Sequence, residues 1–550
     1  MWAFYCFLLV ALVVADYPHR VARNERRPPP CMYRKSNDSG TDREPCVYED
    51  FDLVDPSTLR REIYMYVLMD HLAELQRQAY SYPARNRVVG GPAHNETIEY
   101  IAGELEALSE YYDVERHYFD GNVRISQHVV LRVDGKPMVA EGLGYPRPQV
   151  VKGRLVPVTA WGCNPEDYPD SVEGNIALAA IDGLEWGTSQ VNHKSTCSFN
   201  QIIAAALVKG ATAVITAAIP EERASKTDIP VLQIWQRDAW ALRLQLEEDP
   251  VGPWAEINVH DYPMKRVESY NIIATTRHGD PENTLMLGAH TDSVAAGPGI
   301  NDNGSGTAAL LELAIQLARF RTNSRVRFAF WTAEESGLKG SRHWIERCTE
   351  EELDEIRVYL NFDMIASPNF KLGAYDGDNS DYYIHAPKGQ ARAGPRGSEH
   401  AEQLLNDFFW SQGWNTSSSP FDGRSDYGPF IAKGVPSGGT FTGAERNKTE
   451  AEWVMFGGSA GEPYDPNYHL EDDNMDNVNF TAFEMNVNAI AHALGTYARG
   501  FEGFPERGPR PERVKRFDDE DDSVELKTGT GSLCGGRVRT GVHDGVLYRG

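Results

Sequence analysis

The chain has 550 residues, of which 41% are hydrophobic and 10% aromatic, and a formal net charge of −26 at pH 7. This length exceeds one ordinary domain, so two or more domains with separate cores are expected. The acidic charge argues against nucleic acid as the main partner, because the phosphate backbone would be repelled.

The N-terminus carries the features of a secretory signal. Residues 1–15 form an apolar run that ends in small residues before Asp16, which is typical of a cleaved signal peptide. The run is shorter than the ~18 residues of a transmembrane helix, and no later stretch is apolar enough, so no membrane span is expected. Six N-x-Ser/Thr sequons fit a secretory route, at Asn37, Asn95, Asn303, Asn415, Asn447 and Asn479. We expect a secreted, extracellular glycoprotein, with a vacuolar or lysosomal lumen as the alternative.

The cysteine count is compatible with disulfide bonds. Removal of the signal peptide would also remove Cys6 and leave six cysteines, an even number suited to an oxidising compartment. The six are Cys31, Cys46, Cys163, Cys197, Cys348 and Cys534. A bridge between Cys163 and Cys197 is one possibility, although sequence alone does not fix the pairing.

The first segments divide into a linker and two helices. Residues 16–50 are charged and proline-rich, as in a linker or a pro-segment. Residues 57–79 have the apolar spacing of an amphipathic helix, and a second helix is predicted at Ile98 to Leu108, after a possible cap at Asn95. Both helices fall in residues 51–125, the first part of the larger domain.

The pattern of apolar and turn-forming residues changes further along the chain. Residues 126–260 contain short apolar runs between Gly, Pro and Asp turns, which predicts a separate small β-rich module. Residues 261–505 alternate strand-like and helix-like segments, which indicates an α/β domain with a largely parallel sheet. The final residues, 506–550, are charged and glycine-rich and are predicted to be a disordered tail.

Acidic and imidazole side chains follow three predicted strands of the α/β domain. His290 and Asp292 follow the first, Glu334 and Glu335 the second, and Asp363 the third. Sites form outside the carboxyl ends of strands in open α/β sheets, so these side chains are expected to converge. Crowded carboxylates repel one another unless a cation neutralises them, and we therefore predict a metal centre.

The ligand types favour zinc. A mixture of imidazole and carboxylate suits Zn²⁺, whereas an all-oxygen shell would indicate Mg²⁺ or Ca²⁺. Asp292 lies two residues beyond His290 on the same side of a strand, so we expect its carboxylate to accept the second imidazole N–H. Asp302 follows in a glycine-rich loop before a helix, where it could direct one oxygen to each of two metals, or simply cap the helix.

Five stretches in residues 270–475 carry a family resemblance. In chain order they are "GAHTDSV" with "GINDNGSG", "WTAEESGLKGS", "NFDMIASPN", "FDGRSDYGPF" and "DPNYHLEDD". As a set they resemble the co-catalytic zinc exopeptidases of the aminopeptidase Y and bacterial secreted leucyl aminopeptidase type. The module at 126–260, with "GCNPEDYP", resembles the protease-associated domain. The implied fold is a three-layer α/β/α peptidase domain with a mostly parallel central sheet, interrupted by the protease-associated insert.

The resemblance also assigns roles to individual residues. It implies two zinc ions per chain, one held by His290 and Asp363, the other by Glu335 and His469, with Asp302 bridging them. Glu334 matches the general base, and Tyr468 matches the residue that binds the developing oxyanion. Asp292 is counted with these catalytic residues as the partner that orients His290. The positions that match the substrate pocket are Arg424, Met364 and Phe441. A cis peptide bond after Asp302 is expected by the same analogy.

The implied activity is zinc-dependent removal of N-terminal, apolar residues from peptides that have a free N-terminus. Same-fold alternatives are a carboxypeptidase or a glutaminyl cyclase, and a non-catalytic protease-associated receptor is a further one. A receptor that had lost its metals would show substituted ligands, and all five are present. One departure from the bacterial relatives is that Asn467 and Asp472 replace a cysteine pair beside Tyr468, so the disulfide expected there is missing.

Overall fold

The computed structural model describes residues 50–506, apart from gaps at 124–128, 139, 143–148, 160–161, 180–198, 217–228, 235, 250, 260–264 and 381–392. The predicted signal peptide, the residues up to 49 and the tail from 507 lie outside the described residues. The same is true of Asn37 and of four cysteines, namely Cys31, Cys46, Cys197 and Cys534. Cys163 and Cys348 each take part in a disulfide bond.

The described helices are α1 Pro56–Arg61, α2 Met65–Tyr80, α3 Pro92–Glu106, α4 Phe199–Val208, α5 Gln236–Glu248, α6 Gly306–Leu317, α7 Lys339–Ile345, α8 Glu350–Glu355, α9 Ser398–Ser411, α10 Tyr427–Ala432, α11 Glu450–Phe456 and α12 Phe480–Arg499. None of these helices is long and apolar enough to cross a bilayer.

The described strands are β1 Tyr112–Val123, β2 Val129–Val133, β3 Lys136–Met138, β4 Ala140–Gly142, β5 Gln149–Pro157, β6 Ile176–Ala179, β7 Ala213–Thr216, β8 Val231–Ile234, β9 Trp254–Val259, β10 Lys265–Thr276, β11 Asp280–His290, β12 Ser324–Trp331, β13 Ile356–Phe362 and β14 Ser437–Thr440. They form two sheets, one of six strands and one of eight.

The six-stranded sheet has the order β1-β10-β12-β11-β13-β14. β12, β11, β13 and β14 run parallel, while β1 and β10 are joined to them by antiparallel pairing. Parallel strands need crossover connections, and α6 supplies one between β11 and β12. The mostly parallel sheet expected from the sequence is therefore confirmed, with an antiparallel pair at one edge.

Helices cover both faces of this sheet. In β11 the side chains of Leu285 and Leu287 pack in one buried cluster with α2, α3, α6 and α12, whereas Met286 packs in another with α7 and α10. Successive side chains of a strand point to opposite faces, so a strand covered on both sides is apolar throughout. This packing confirms the three-layer α/β/α architecture.

The eight-stranded sheet has the order β3-β2-β9-β5-β6-β7-β8-β4 and buries its own apolar clusters. Its residues lie between β1 and β10, which pair with each other along their whole length from Tyr112 to Val123. The module therefore occupies the place of the turn in a long hairpin. Its exact boundaries, predicted at 126 and 260, stay a prediction.

Two local expectations were wrong, and one strand was missed. The single helix predicted over residues 57–79 is divided into α1 Pro56–Arg61 and α2 Met65–Tyr80. Asn95 does not cap a helix, because α3 begins after Gly91 with Pro92 in its first turn, and Asn95 lies inside the helix. β1 was not predicted at all, because this edge strand is only partly buried and its charged residues hide the period-two pattern.

The packing of α6 against the sheet predicts a large stability effect at Leu313. This side chain is completely buried in the main cluster. Leu313→Ala should lower the free energy of unfolding by about 3 kcal/mol, because a truncated core leucine leaves a cavity. Urea unfolding followed by tryptophan fluorescence measures the change. Leu244→Ala on α5, where the leucine is 45% exposed, is the control; equal stability of the two variants would contradict the placement.

Candidate metal centre

The three strand ends meet as the sequence predicted. β11 ends at His290, which pairs with Trp331 at the end of the parallel neighbour β12. On its other side β11 pairs with β13, which ends at Phe362, just before Asp363. Parallel strands present their carboxyl ends at the same edge, so side chains from all three reach one crevice.

Five predicted ligand side chains lie in two groups within this crevice. The Nε2 atom of His290 is 3.3 Å from Asp302 Oδ1 and 3.3 Å from Asp363 Oδ1. The Nε2 atom of His469 is 3.2 Å from Asp302 Oδ2 and 3.3 Å from Glu335 Oε2. Asp302 therefore belongs to both groups, with one oxygen in each.

These distances fit a metal ion in each group. Ligand atoms about 2.0–2.1 Å from a tetrahedral ion lie about 3.3 Å from one another. Among the described residues, His290 Nε2, Asp363 Oδ1 and Glu335 Oε1 are buried without a hydrogen-bond partner. Buried polar atoms are normally paired, so these three need a partner that protein atoms do not supply. A metal ion would be a suitable partner, because imidazoles and carboxylates are common protein ligands of metal ions.

The electrostatics of the crevice favour positive charge. Burial would lower the pKa of His290, but the carboxylates of Asp363 and Glu334 outweigh it and raise that pKa well above its usual value. Burial raises the pKa of Glu334 well above its usual value, and the charges of Glu335 and Asp363 add to the effect. A cation among these carboxylates would offset their mutual repulsion.

The loop that carries Asp302 is fixed by its backbone. The backbone N–H groups of Asn301 and Asp302 donate to the two carboxylate oxygens of Asp473, at 2.8 and 3.0 Å. Gly299 has φ of 64°, and a Cβ there would lie 2.3 Å from the carbonyl oxygen of Asp302, so glycine is required. The Asp302–Asn303 peptide bond is cis, as the resemblance implied.

Three non-glycine residues at the crevice adopt left-handed backbone conformations. Ala333, directly before Glu334, has φ of 58°, Met364, directly after Asp363, has φ of 50°, and His469 has φ of 59°. Such conformations are uncommon for these residue types and cluster at functional sites. They turn the chain sharply where it leaves the ordered elements.

The expected bond between His290 and the Asp292 carboxylate was wrong in detail. Nδ1 of His290 is 3.1 Å from the backbone carbonyl of Asp292 but 3.7 Å from its carboxylate, which is too long for a hydrogen bond. The carboxylate instead accepts the backbone N–H of Glu334 at 3.1 Å. Asp292 therefore orients the imidazole through its main chain and holds Glu334 through its side chain.

Tyr468 and Arg424 stand together at the mouth of the crevice. The Tyr468 ring stacks on His469 with centroids 3.8 Å apart, and its hydroxyl oxygen accepts from Arg424 Nη2 at 3.1 Å. Arg424 also donates to Glu445 at 2.6 Å. Burial would raise the pKa of the Glu445 carboxyl, but the Arg424 guanidinium outweighs it and lowers that pKa to about 2. Sequence reasoning missed Glu445, although it lies only four residues after Phe441.

The predicted pocket residues adjoin a set of aromatic rings. Phe441 stacks on Tyr375 with centroids 6.3 Å apart, and Tyr375 stacks on Phe421 at 5.1 Å. The backbone N–H of Met364 donates to the Asn303 side chain at 3.3 Å, so Met364 adjoins the metal-ligand loop. Tyr375 was missed because an isolated aromatic residue carries no sequence signal, and Phe421 was given no role although it begins the stretch "FDGRSDYGPF".

Hydrogen bonds occupy the region where the cysteine pair was expected. Asn467 donates from its side chain to Asn477 at 2.9 Å and from its backbone to Asp465 at 2.9 Å. Asp472 is exposed. The segment that carries Tyr468 and His469 is therefore anchored by a polar network.

A three-layer α/β/α fold whose strand ends and neighbouring loops bring two histidines and three carboxylates beside a buried glutamate has the arrangement of a metallohydrolase. Comparisons with known proteins narrow this class. Residues 271–494 match the model of peptidase family M28, and residues 151–242 match the PA domain.

Relatives match over most of the chain. Leucine aminopeptidase 2 of Trichophyton rubrum is 38% identical over 483 residues, which cover 86% of this chain and 91% of the relative. A probable leucine aminopeptidase 2 of Aspergillus fumigatus is also 38% identical, over 86% of this chain and 90% of its own length.

Solved structures share the fold. An aminopeptidase from Aneurinibacillus sp. strain AM-1 superimposes with a TM-score of 0.54 at 22% identity, covering 84% of this chain and all of the other. A zinc aminopeptidase from Bacillus subtilis gives 0.52 at 21% identity, covering 78% and 95%. The chain belongs to peptidase family M28, as a metallo-aminopeptidase with an inserted PA domain.

The burial of Asn303 predicts that its sequon carries no glycan. Its side chain is completely buried, donates to Phe362 O at 2.9 Å and accepts from the Gly306 N–H at 3.0 Å. A sugar on this amide would remove the bond to Phe362 and displace the loop that carries Asp302. In active protein from a eukaryotic secretory host, glycopeptide mass spectrometry should find Asn303 unmodified. Asn415, which is exposed, is the internal comparison; a glycan on Asn303 would contradict the structure.

Proposed function

We propose that this chain binds two zinc ions and removes N-terminal, apolar residues from peptides with a free N-terminus. The observation that carries the proposal is that two groups of ligand atoms share the carboxylate of Asp302, one oxygen in each. A single metal would need only one of these groups. The apolar run at residues 1–15 supports the proposal that the enzyme is secreted and acts outside the cell.

The ligand assignment follows from the distances. His290 and Asp363 would hold one ion, Glu335 and His469 the other, and Asp302 both. Mixed imidazole and carboxylate ligands at this spacing suit zinc better than magnesium or calcium. When bound, the two ions would polarise the scissile carbonyl and make a water molecule more acidic.

Glu334 is suited to proton transfer. Its carboxylate is buried and lies 3.9 Å from Nε2 of His290, next to both groups. This position places it where it could accept a proton from a water molecule bound between the groups. It would take the proton of the water and deliver it to the leaving amine. The bond from its backbone N–H to Asp292 fixes its position during both steps.

Tyr468 is suited to bind the oxyanion. Burial raises the pKa of its hydroxyl well above the usual value, so it stays protonated and can donate. Arg424 donates to the hydroxyl oxygen, so the hydroxyl proton can be donated to a different acceptor. A donor aimed at developing charge stabilises the transition state more than the substrate.

The aromatic surroundings support an apolar substrate side chain. Phe441, Tyr375 and Phe421 are stacked rings beside the loop of Met364, and a leucine-sized group would be desolvated against them. The names of the fungal relatives, which are leucine aminopeptidases, support the same preference.

The carboxypeptidase alternative fits less well. A carboxypeptidase needs a cation that is available to bind the substrate carboxylate. Arg424 lies at the crevice, but its two terminal nitrogens already donate to the carboxylate oxygens of Glu445, at 2.6 and 3.4 Å. The arrangement therefore favours a substrate that presents an amine.

The first test is metal content. We expect about two zinc equivalents per chain by mass spectrometry of the purified protein, as a two-metal site requires. Dialysis against a chelator should abolish hydrolysis of leucine p-nitroanilide, and added zinc should restore it. N-acetyl-leucine p-nitroanilide, which lacks the free amine, is the substrate control. Activity in zinc-free protein, or equal hydrolysis of both anilides, would contradict the proposal.

The second test separates proton transfer from metal binding. Glu334→Gln should lower kcat by roughly 10²–10⁴-fold, the usual contribution of a general base, while zinc content stays near two. Glu335→Gln, a change of the same chemistry one residue away, should instead release one zinc ion. If Glu334→Gln kept its turnover, or lost metal as Glu335→Gln does, the assigned role of Glu334 would be wrong.

A further inference from the structure

The loop at residues 291–304, between β11 and α6, carries Asp302 and is held by two buried charged side chains from distant parts of the chain. One is Arg87, from the segment before α3, and the other is Asp473, just after His469. We propose that Arg87 and Asp473 are positioning residues that act as a pair, here called the loop clamp, to fix the carboxylate of Asp302 between the two metal sites. This inference rests on the proposed two-zinc function.

Arg87 binds the carbonyl groups of the loop. Its guanidinium is fully buried and donates to Thr291 O at 2.5 Å, Pro298 O at 2.9 Å and Gly299 O at 2.5 Å. Three carbonyls separated by up to eight residues are thereby drawn to one planar group. A lysine ammonium is a point charge and cannot reach all three in this geometry.

Asp473 binds the amide groups of the same loop. Its carboxylate, 1% exposed, accepts the N–H groups of Asn301 and Asp302, and its own carbonyl accepts the N–H of Ile300 at 2.9 Å. Two consecutive peptide planes are therefore fixed by one side chain. The side chain of Asn477 donates to Asp473 Oδ1 at 3.1 Å and to both oxygens of Asp465, which holds the carboxylate in place.

The clamp matters because Asp302 serves both groups. Its two oxygens lie 3.3 and 3.2 Å from His290 and His469, so rotation of its peptide plane would move both oxygens at once. Neither clamp residue is part of the two ligand groups. Their effect would therefore pass through the backbone of the loop, with both metals affected together.

Four variants of the full-length protein test the clamp. Asp473→Asn keeps the size of the side chain but replaces one acceptor oxygen with an NH₂ group, which cannot accept the N–H of Asp302. Its control is Asp472→Asn, at the adjacent exposed position. Arg87→Lys keeps the charge but loses the planar fork. Its control is Arg85→Lys, two residues away, where the arginine is exposed and stacks on Tyr80.

The main readout is zinc binding, measured by competition with a chromophoric chelator and by the visible spectrum of the Co²⁺-substituted protein. We expect both clamp variants to bind zinc about 10–100-fold more weakly, the usual effect of removing a partner of a metal ligand. The cobalt spectrum should change, and kcat should fall while KM stays within about twofold. Circular dichroism and melting of the metal-free forms should match the two controls.

The outcomes separate the clamp from the proposed function. Wild-type protein that binds fewer than two zinc ions would contradict the two-zinc function itself. Wild-type protein with two ions, beside clamp variants of unchanged zinc affinity and cobalt spectrum, would overturn the clamp alone. If Asp473→Asn does not fold, Arg87→Lys decides the question by the same measurements.

Discussion

The architecture depends on the mutual repulsion of carboxylates placed at one sheet edge. Asp302, Glu334, Glu335 and Asp363 meet around two histidines, and their oxygens lie close enough to raise the proton affinity of the imidazoles and of Glu334. Positive charge in the crevice would offset this repulsion. The repulsion that destabilises the metal-free crevice would therefore favour the binding of a metal ion.

The surrounding structure maintains this concentration of charge. The strands of the central sheet are apolar on both faces, so the ligands can leave the layers only at the strand ends, where the chain turns sharply. Left-handed backbone at Ala333 and Met364 makes the turns after β12 and β13, and His469 adopts the same conformation in the loop between α11 and α12. Buried side chains then hold the loop of Asp302 from both sides, Arg87 through its carbonyls and Asp473 through its amides.

The insert shows how an enzyme of this class acquires a module without disturbing its centre. β1 and β10 pair antiparallel at the edge of the sheet, and the PA domain replaces the turn between them. Their edge pairing leaves the parallel strands, which carry the ligands, in their own register. The chain therefore joins two sheets with separate cores while the site is assembled within one of them.

The sequence by itself determined the α/β class and the inserted module, and it singled out the five side chains that the structure brings into two groups, because these depend on residue type, local period and short motifs. It did not reveal β1, whose exposed face obscures the period, or the partner of Asp292, since a difference between 3.1 and 3.7 Å is decided by the turn after the strand. Arg87, Asp473 and Glu445 also needed the tertiary structure. Each is a single charged residue in a chain with 80 acidic and 54 basic residues, and only folding shows which of them are buried against the loop and the crevice.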